Sequence, residues 1–421
     1  HPVTSIEYFP QGEYNFLMIL HRALKGEDIS QLVVNAGVGI DEIKNLIERL
    51  KTGKTLLLAG EDLYNNPRGE RNIDLLKAIQ GLLEDSRINI LFDGSNYIGN
   101  LLWGSTPGIL PVGMDNIYEN RRALAEKWNL EKLPEDPGMT TNEMLKAGAE
   151  GEIRALIAVG ADLVGFYPDR KLARKALGNI EFKVSIETFL TETGKMCDAV
   201  LPLAAFPEYD GSLISTEGRL QYFRKAYDPC FSSAEGWRII LRLAQKMGFD
   251  RDYTGPADIW KEMTGMSETF ANIVYKGISF RGLLLDFESE EKRSLPDLRY
   301  ADCSSFQPVD PPKPPEEYPL ILTYGTSVYQ KRHLTYYAES MDKIDPGPRI
   351  YLHPDNAGKL NLHDNDTVRV LSENGSLTMK LTTDVRVRPG TIFIPINFIE
   401  AEVNSLVSSG SDLTFVKLEK I

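Results

Sequence analysis

Ile153-Arg154-Ala155-Leu156-Ile157-Ala158-Val159-Gly160-Ala161-Asp162 is a short apolar run that ends on a glycine and a carboxylate. Its length suits a buried strand better than a buried helix, and the glycine marks the turn that ends it. The pattern returns twice downstream. A helix predicted from Asp169 to Leu177, stopped by Gly178, leads to the strand Phe182-Lys183-Val184-Ser185-Ile186. Another short helix then leads to Ala199-Val200-Leu201. Strands alternating with helices, with polar residues at each strand end, predict a parallel sheet with crossover connections. Upstream, Thr140 and Glu143 have the spacing of a capping box that opens a helix before Gly151.

The N-terminal third repeats the alternation. Ile43, Leu46, Ile47 and Leu50 give helical spacing from Asp41, and Thr55 to Gly60 reads as a buried strand. A helix from Ile73 to Leu83 and a strand from Ile88 to Phe92 follow, then a Gly/Asn-rich loop from Asp93 to Gly104. Such a loop at a strand's C-terminal end is either a ligand loop or a plain connection. Past the middle third, Ser232 or Ser233 is expected to cap a helix whose stripe is Trp237, Ile240, Leu241, Ala244 and Met247, ended by Gly248. That stripe is expected to be core. From Ser304 to Tyr318 the chain is proline-rich, and beyond it the character turns to β. Leu320 to Thr323, Thr367 to Leu371 and Leu377 to Leu381 read as strands, the last two flanking the hairpin signal Asn374-Gly375. Pro389-Gly390 turns into Thr391-Ile392-Phe393-Ile394, and a short helix is expected near Asp355 to Leu360. The expected organisation is an α/β domain over 1–145, a second, Rossmann-like α/β domain over 146–303, a proline-rich linker over 304–318 and a small β-barrel-like domain over 319–421. No G-x-G-x-x-G occurs, so an ordinary NAD fingerprint is not supported.

With 421 residues, 42% hydrophobic and 25% charged, the composition is that of a globular chain of several domains. The 47 basic against 60 acidic side chains give a net charge of −13, which argues against a nucleic-acid partner or an anionic membrane surface. No apolar run reaches the roughly 18 residues that a transmembrane helix needs. The start, His1-Pro2-Val3-Thr4-Ser5, has no signal-peptide character and is expected to be the start of a trimmed or partial chain. Cys197, Cys230 and Cys303 are widely spaced without a CxxC pair, so no iron–sulfur cluster or thiolate zinc site is expected within this chain. Free thiols suit a reducing, cytoplasmic compartment. The histidines show no metal-binding spacing, and His353 and His363 are expected at the surface.

Four segments occur in a telling order: Leu190-Thr191-Glu192-Thr193, Asp198-Ala199-Val200-Leu201-Pro202, Glu208-Tyr209-Asp210-Gly211-Ser212 and Thr216-Glu217-Gly218-Arg219-Leu220-Gln221. This run resembles the molybdopterin oxidoreductases, the large subunits of formate dehydrogenases and nitrate reductases and the G subunit of respiratory complex I. Ala155 to Gly160 with Pro168-Asp169 resembles the family's guanosine-binding turn. His353-Pro354-Asp355-Asn356-Ala357, Leu360-Asn361-Leu362, Asp366-Thr367-Val368, Asn374-Gly375 and Pro389-Gly390 resemble its molybdopterin-dinucleotide-binding domain. The departures are equally specific. The turn that carries an Asn in relatives is here Gly160-Ala161-Asp162-Leu163, an expected aspartate is Glu187, and Ser215 offsets an expected asparagine.

The resemblance implies a molybdopterin guanine dinucleotide in the full-length parent, with an iron–sulfur module and other subunits as partners. The implied contacts are Gly160, Asp162, Glu187, Thr191 and Thr193 at two strand ends; Asp210, Gly211, Ser212, Glu217 and Arg219 after the third strand; and Arg332, His333 and Thr335 after the first barrel strand. Neighbouring parallel strand ends would bring the first two groups to one crevice. A structural ion pair between Glu217 and Arg219 and a plain turn at Asp210-Gly211 stand beside that reading. Three parents are open: a scaffold-like G subunit of a complex I-like NADH dehydrogenase, a truncated formate dehydrogenase alpha subunit, or a stand-alone interaction module. The implied place is the cytoplasm or the inner face of a membrane complex. The chain by itself is expected to fold, to be purified without pterin and to oxidise neither formate nor NADH.

Overall fold

The computed structural model describes residues 4–92, 94–266, 270–271, 273–279, 281–285, 303–327, 335–344, 347–407 and 413–421. The chain forms two compact units. The first comprises His1–Asn89, Gly165–Lys171 and Leu295–Ile421; the second comprises Ile90–Val164 and Leu172–Ser294.

In the first unit α1 (Glu13–Leu24) is the hub, because Tyr14, Leu17, Met18, Ile19 and Leu20 are all buried on it. It packs against α2 (Ser30–Ala36) and α3 (Ile40–Leu50), whose Ile43 and Ile47 face inward at i, i+4 spacing. β1 (Thr55–Ala59), α4 (Glu61–Tyr64), α5 (Gly69–Gly81) and β2 (Ser86–Ile90) follow, with β1 and β2 paired and α5 on α1. The proline-rich segment lies along α1: Asn15 Nδ2 donates to the Val309 carbonyl at 2.7 Å, and the Val309 N–H returns to Asn15 Oδ1 at 3.0 Å.

The second unit opens with α6 (Tyr97–Leu102), where the sequence reads as loop throughout. The Asn96 side chain explains the difference: its Oδ1 accepts the Ile214 N–H at 2.9 Å, a contact 118 residues distant that fixes the helix start. The strands β3 (Ile109–Leu110) and β4 (Met114–Asp115) pair, and α7 (Tyr118–Trp128) follows. The capping box appears at α8 (Thr141–Glu150), where the Thr140 and Glu143 side chains each bond the other's backbone. Then come β5 (Ala155–Val159), α9 (Leu163–Phe166), α10 (Arg170–Asn179), β6 (Phe182–Glu187) and β7 (Ala199–Pro202). The three strands are parallel in the order β5-β6-β7, as the alternation predicts. Gly178 does not stop α10, which ends one residue later at Asn179 with that side chain donating to the Ala149 carbonyl at 2.7 Å.

Three further strands, unread in the sequence, form a separate antiparallel sheet: β8 (Gly211–Ile214), β9 (Arg219–Phe223) and, after two helices, β10 (Leu283–Leu284). The helices are α11 (Gly236–Lys246) and α12 (Pro256–Thr264). Neither Ser232 nor Ser233 caps α11; Glu235 is its N-cap, and its carboxylate binds Arg238 at 3.0 Å. The apolar stripe of α11 is not core either. Only Leu241 is buried, whereas Ile240 is 48% and Met247 80% exposed.

The remainder of the first unit is a closed barrel. Its strands are β11 (Leu320–Gly325), β12 (Arg349–Leu352), β13 (Thr367–Leu371), β14 (Ser376–Thr383), β15 (Thr391–Pro395) and β16 (Thr414–Lys420), in the order β11-β15-β12-β14-β13-β16. Asn374-Gly375 turns β13 into β14 with Leu371 opposite Ser376. α13 (Pro354–Lys359) follows β12 and is capped by His353, whose ring Nδ1 accepts the Asp355 N–H at 3.1 Å. Alternate residues fill the interior: Ile350, Leu352, Val368, Val370, Leu381, Ile392 and Ile394 are fully buried. No helix among the described residues is long and apolar enough to cross a membrane.

Candidate functional site

Gly160 directly follows β5; its φ of +59° favours glycine and its N–H donates to the Ile186 carbonyl at 2.9 Å, tying two parallel strand ends together. Two residues later Asp162 is only 3% exposed. Its Oδ1 accepts the Thr193 N–H at 2.9 Å and the Thr193 hydroxyl at 2.7 Å, while Thr193 Oγ1 accepts the Val164 N–H at 2.9 Å. Asp162 is thus a staple between the loops after β5 and β6, and Thr193 is buried within it. Thr191 is buried too; its Oγ1 accepts the Gly194 N–H at 3.1 Å and holds the short turn there.

Glu187 differs from these four. It is the last residue of β6, and its Oε1 accepts the neighbouring Thr188 N–H at 2.8 Å. Its Oε2 is buried and has no hydrogen-bond partner. Two positions back on the same strand face, Ser185 is 1% exposed and its hydroxyl is likewise buried without a partner. Unpaired buried oxygens are costly, at about 1–3 kcal/mol each, and a ligand's N–H or O–H groups remove that cost. An orphaned carboxylate oxygen at a parallel strand end therefore fits the guanine or ribose donors of a dinucleotide. The motif pointed to Glu187; nothing in the sequence singled out Ser185, since its role depends on which face of β6 it shares.

In the second group of expected contacts, Gly211 and Ser212 lie on β8 and Arg219 on β9 of the antiparallel sheet, with Asp210 just before β8 and Glu217 in the turn between the two strands. Asp210 Oδ1 accepts the Lys225 N–H at 2.8 Å. Gly211 sits against the Phe223 ring so closely that a Cβ there would lie 2.3 Å from it, and Ser212 is opposite Tyr222. Glu217 and Arg219 form no ion pair: Arg219 Nη1 donates to the Arg281 carbonyl at 3.4 Å and its N–H to Ser215 Oγ at 3.3 Å. Of the third group, Arg332 and His333 lie outside the described residues, and Thr335 begins a short 3₁₀ turn to Tyr337.

The first unit holds a separate cleft of about 230 Å³ beside the barrel, lined by Tyr324, Ile396, Phe398, Glu402, Asn404 and the Gly165–Pro168 segment. Asn404 Nδ2 donates to the Tyr167 carbonyl at 2.9 Å, and the buried Arg170 pairs with Glu402 at 2.9 Å. Glu402 takes a left-handed φ of +48°, a strained setting for a side-chain-bearing residue that clusters at ligand sites. Sequence reading missed Glu402, Asn404 and Arg170, whose pairing spans more than 200 residues. Among the described residues no group of three or more His, Cys, Asp and Glu side chains is placed to hold a metal ion. Burial pushes the Cys197 thiol up, and the Glu208 carboxylate hydrogen-bonded to Cys230 does the same there, which keeps both protonated and poor as thiolate ligands.

Residues 20–246 match the family described as molybdopterin oxidoreductase, and residues 320–415 match the molydopterin dinucleotide binding domain. The chain is 27% identical over 425 residues to the F420-dependent formate dehydrogenase subunit alpha of Methanocaldococcus jannaschii, covering 91% of this chain and 63% of that protein. It is 28% identical over 377 residues to the second G subunit of the NADH-quinone oxidoreductase of Rhizobium meliloti, covering 88% of this chain and 43% of the relative. The chain thus spans about two fifths to just under two thirds of these relatives' length. The solved structure of acetylene hydratase from Pelobacter acetylenicus shares the fold at TM-score 0.69 and 15% identity, over 99% of this chain and 71% of that one. With more than half of its length matched by the family and the barrel matched by the family's dinucleotide domain, this chain belongs to the molybdopterin oxidoreductases.

Proposed function

We propose that this chain holds the guanosine end of a pterin dinucleotide within a redox subunit, either a formate dehydrogenase alpha subunit or the G subunit of an NADH-quinone oxidoreductase. The observation that carries the reading is Glu187 Oε2, buried at a parallel strand end and without a donor. In this role Glu187 accepts the guanine N–H groups or the ribose hydroxyls, and the staple between Asp162 and Thr193 holds the two loops that frame it. Gly160 leaves its surroundings open to the approaching ligand, since a Cβ built there meets no atom within 4 Å. Independently, the barrel-side cleft, lined by residues of the matched dinucleotide domain and by the Gly165–Pro168 segment outside it, suits the same ligand class. When bound, the pterin supplies the metal site and its redox chemistry, and the protein supplies position and hydrogen bonds. An iron–sulfur module and other subunits would be the partners that carry electrons to and from that group, with the assembly in the cytoplasm or on the inner face of a membrane.

A second reading is a scaffold without ligand, favoured by the way Thr193 satisfies the Asp162 Oδ1 internally. Calorimetric titration with GMP separates the two. The dinucleotide reading predicts saturable binding that Glu187→Ala weakens about tenfold, the worth of one charge-assisted hydrogen bond. No binding by the unaltered chain would favour the scaffold.

A further inference from the structure

The surface of α11 divides into three stripes. Trp237, Leu241 and Ala244, at i, i+4 and i+7, turn inward: Leu241 is buried and the other two are half-buried. Ile240, Leu243 and Met247, at i, i+3 and i+7, form a second apolar stripe that is 48%, 37% and 80% exposed. Arg238, Arg242 and Lys246, at i, i+4 and i+8, form a basic ridge. No Asp or Glu occurs from Gly236 to Phe249, in a chain whose net charge is −13. Arg238 is engaged, since it pairs with Glu235 at 3.0 Å and its guanidinium lies 4.8 Å over the Trp237 ring. Arg242 and Lys246 are exposed and make no ion pair among the described residues.

The inward stripe already anchors α11, so the outer apolar stripe is surplus to the fold. Its i, i+3, i+7 spacing is that of a coiled-coil seam, with Lys246 at the flanking position beside Met247. We propose that this side of α11 docks one amphipathic helix of another polypeptide, apolar at heptad spacing and acidic along the edge that meets Arg242 and Lys246. Charge complementarity selects this occupant. In a two-fold pairing of two copies through α11, each basic ridge would meet its own kind, which is repulsive. A bilayer calls for a broad apolar face, whereas this stripe is one helix wide, and the chain's net charge opposes approach to anionic lipid. The surface is independent of the guanosine reading.

Fluorescence anisotropy of a labelled helical peptide tests this on the whole chain. The peptide carries isoleucine and leucine at its a and d positions and glutamate at the flanking e and g positions. Saturable binding is expected, and a peptide with lysine in place of those glutamates should bind about fivefold or more weakly. Ile240→Ser combined with Leu243→Ser, with an unchanged circular dichroism spectrum, should weaken binding of the acidic peptide about tenfold or more. Arg242→Glu combined with Lys246→Glu should reverse the preference in favour of the lysine peptide. Glu187→Ala should alter none of these affinities. Absence of binding, equal affinity for both peptides, unaltered affinity in the serine variant or a preference that survives charge reversal would overturn the assignment. So would cosedimentation of the chain with vesicles of phosphatidylcholine and phosphatidylglycerol that the serine variant abolishes, which would make the stripe a membrane surface.

Discussion

The barrel and the parallel sheet are both built from apolar strands, yet one closes on itself and the other leaves a face open. In the barrel, alternate strand residues meet in the middle, so Ile350, Val368, Leu381 and Ile392 are fully buried, joined in one core by Ala357, Phe398 and Leu406 from outside the strands. In the sheet, Ala158 and Ser185, paired across β5 and β6, are buried on one side, while Ile157 at 47%, Val159 at 45% and Phe182 at 54% exposure lie on the other. Closure removes edges and supplies its own core, whereas a parallel strand rich in apolar residues on both sides requires cover on both faces. The same hydrophobicity therefore gives self-contained stability in one region and dependence on further layers in the other.

Truncating one side chain in each region puts this contrast under the greatest strain. Ile350→Ala should destabilise the chain by about 3–4 kcal/mol in urea unfolding, because it empties a closed core. Ile157→Ala, on the open face, should cost no more than about 1 kcal/mol. Equal losses would mean that the open face is covered after all. Next in size, Asp162→Ala removes the acceptor for two Thr193 donors inside a buried staple and should cost about 2–3 kcal/mol. Asp162→Asn, which keeps an amide oxygen there, should recover most of that loss. A smaller effect, about 1 kcal/mol, is expected from Thr140→Ala, which removes the capping box of α8.

The smallest effect concerns acid. Lys420, at 2.6 Å, and the His363 N–H hold the Asp366 carboxyl of the barrel below its ordinary value of 3.8. A carboxylate with a depressed folded value adds stability that is present above about pH 4 and fades as pH falls through that folded value. Asp366→Asn should accordingly flatten the acid limb of a pH titration of barrel unfolding slightly, with no change near neutrality.

How legible each region was follows from where its information lies. The barrel hairpin was readable because Asn374-Gly375 sits between alternating strands, a local signal for a local contact. The order β5-β6-β7 was readable because three short apolar strands recur with helical or turn sequence between them, although only a 3₁₀ turn, Gly194–Met196, stands between β6 and β7. The β8–β9 hairpin went unread: its turn, Ser215-Thr216-Glu217-Gly218, lacks a tight two-residue signal, and Gly211 is required by the Phe223 ring, which no spacing rule foresees. At the candidate site, motifs located Glu187, Thr191 and Thr193. They left open that Asp162 is occupied by Thr193, or that Ser185 lies on the same face as Glu187. Arg170 and Glu402 meet only through the fold, so neither carries a sequence signal.

Whether the loops after β5 and β6 hold a guanosine through Glu187 decides the functional reading. Hydrogen–deuterium exchange of the whole chain, with and without saturating GMP, asks this without intermediary. Exchange should slow chiefly in peptides covering 160–164 and 187–194, and Glu187→Ala should lose that protection. Unchanged exchange in both segments, or protection that persists in Glu187→Ala, would contradict the assignment.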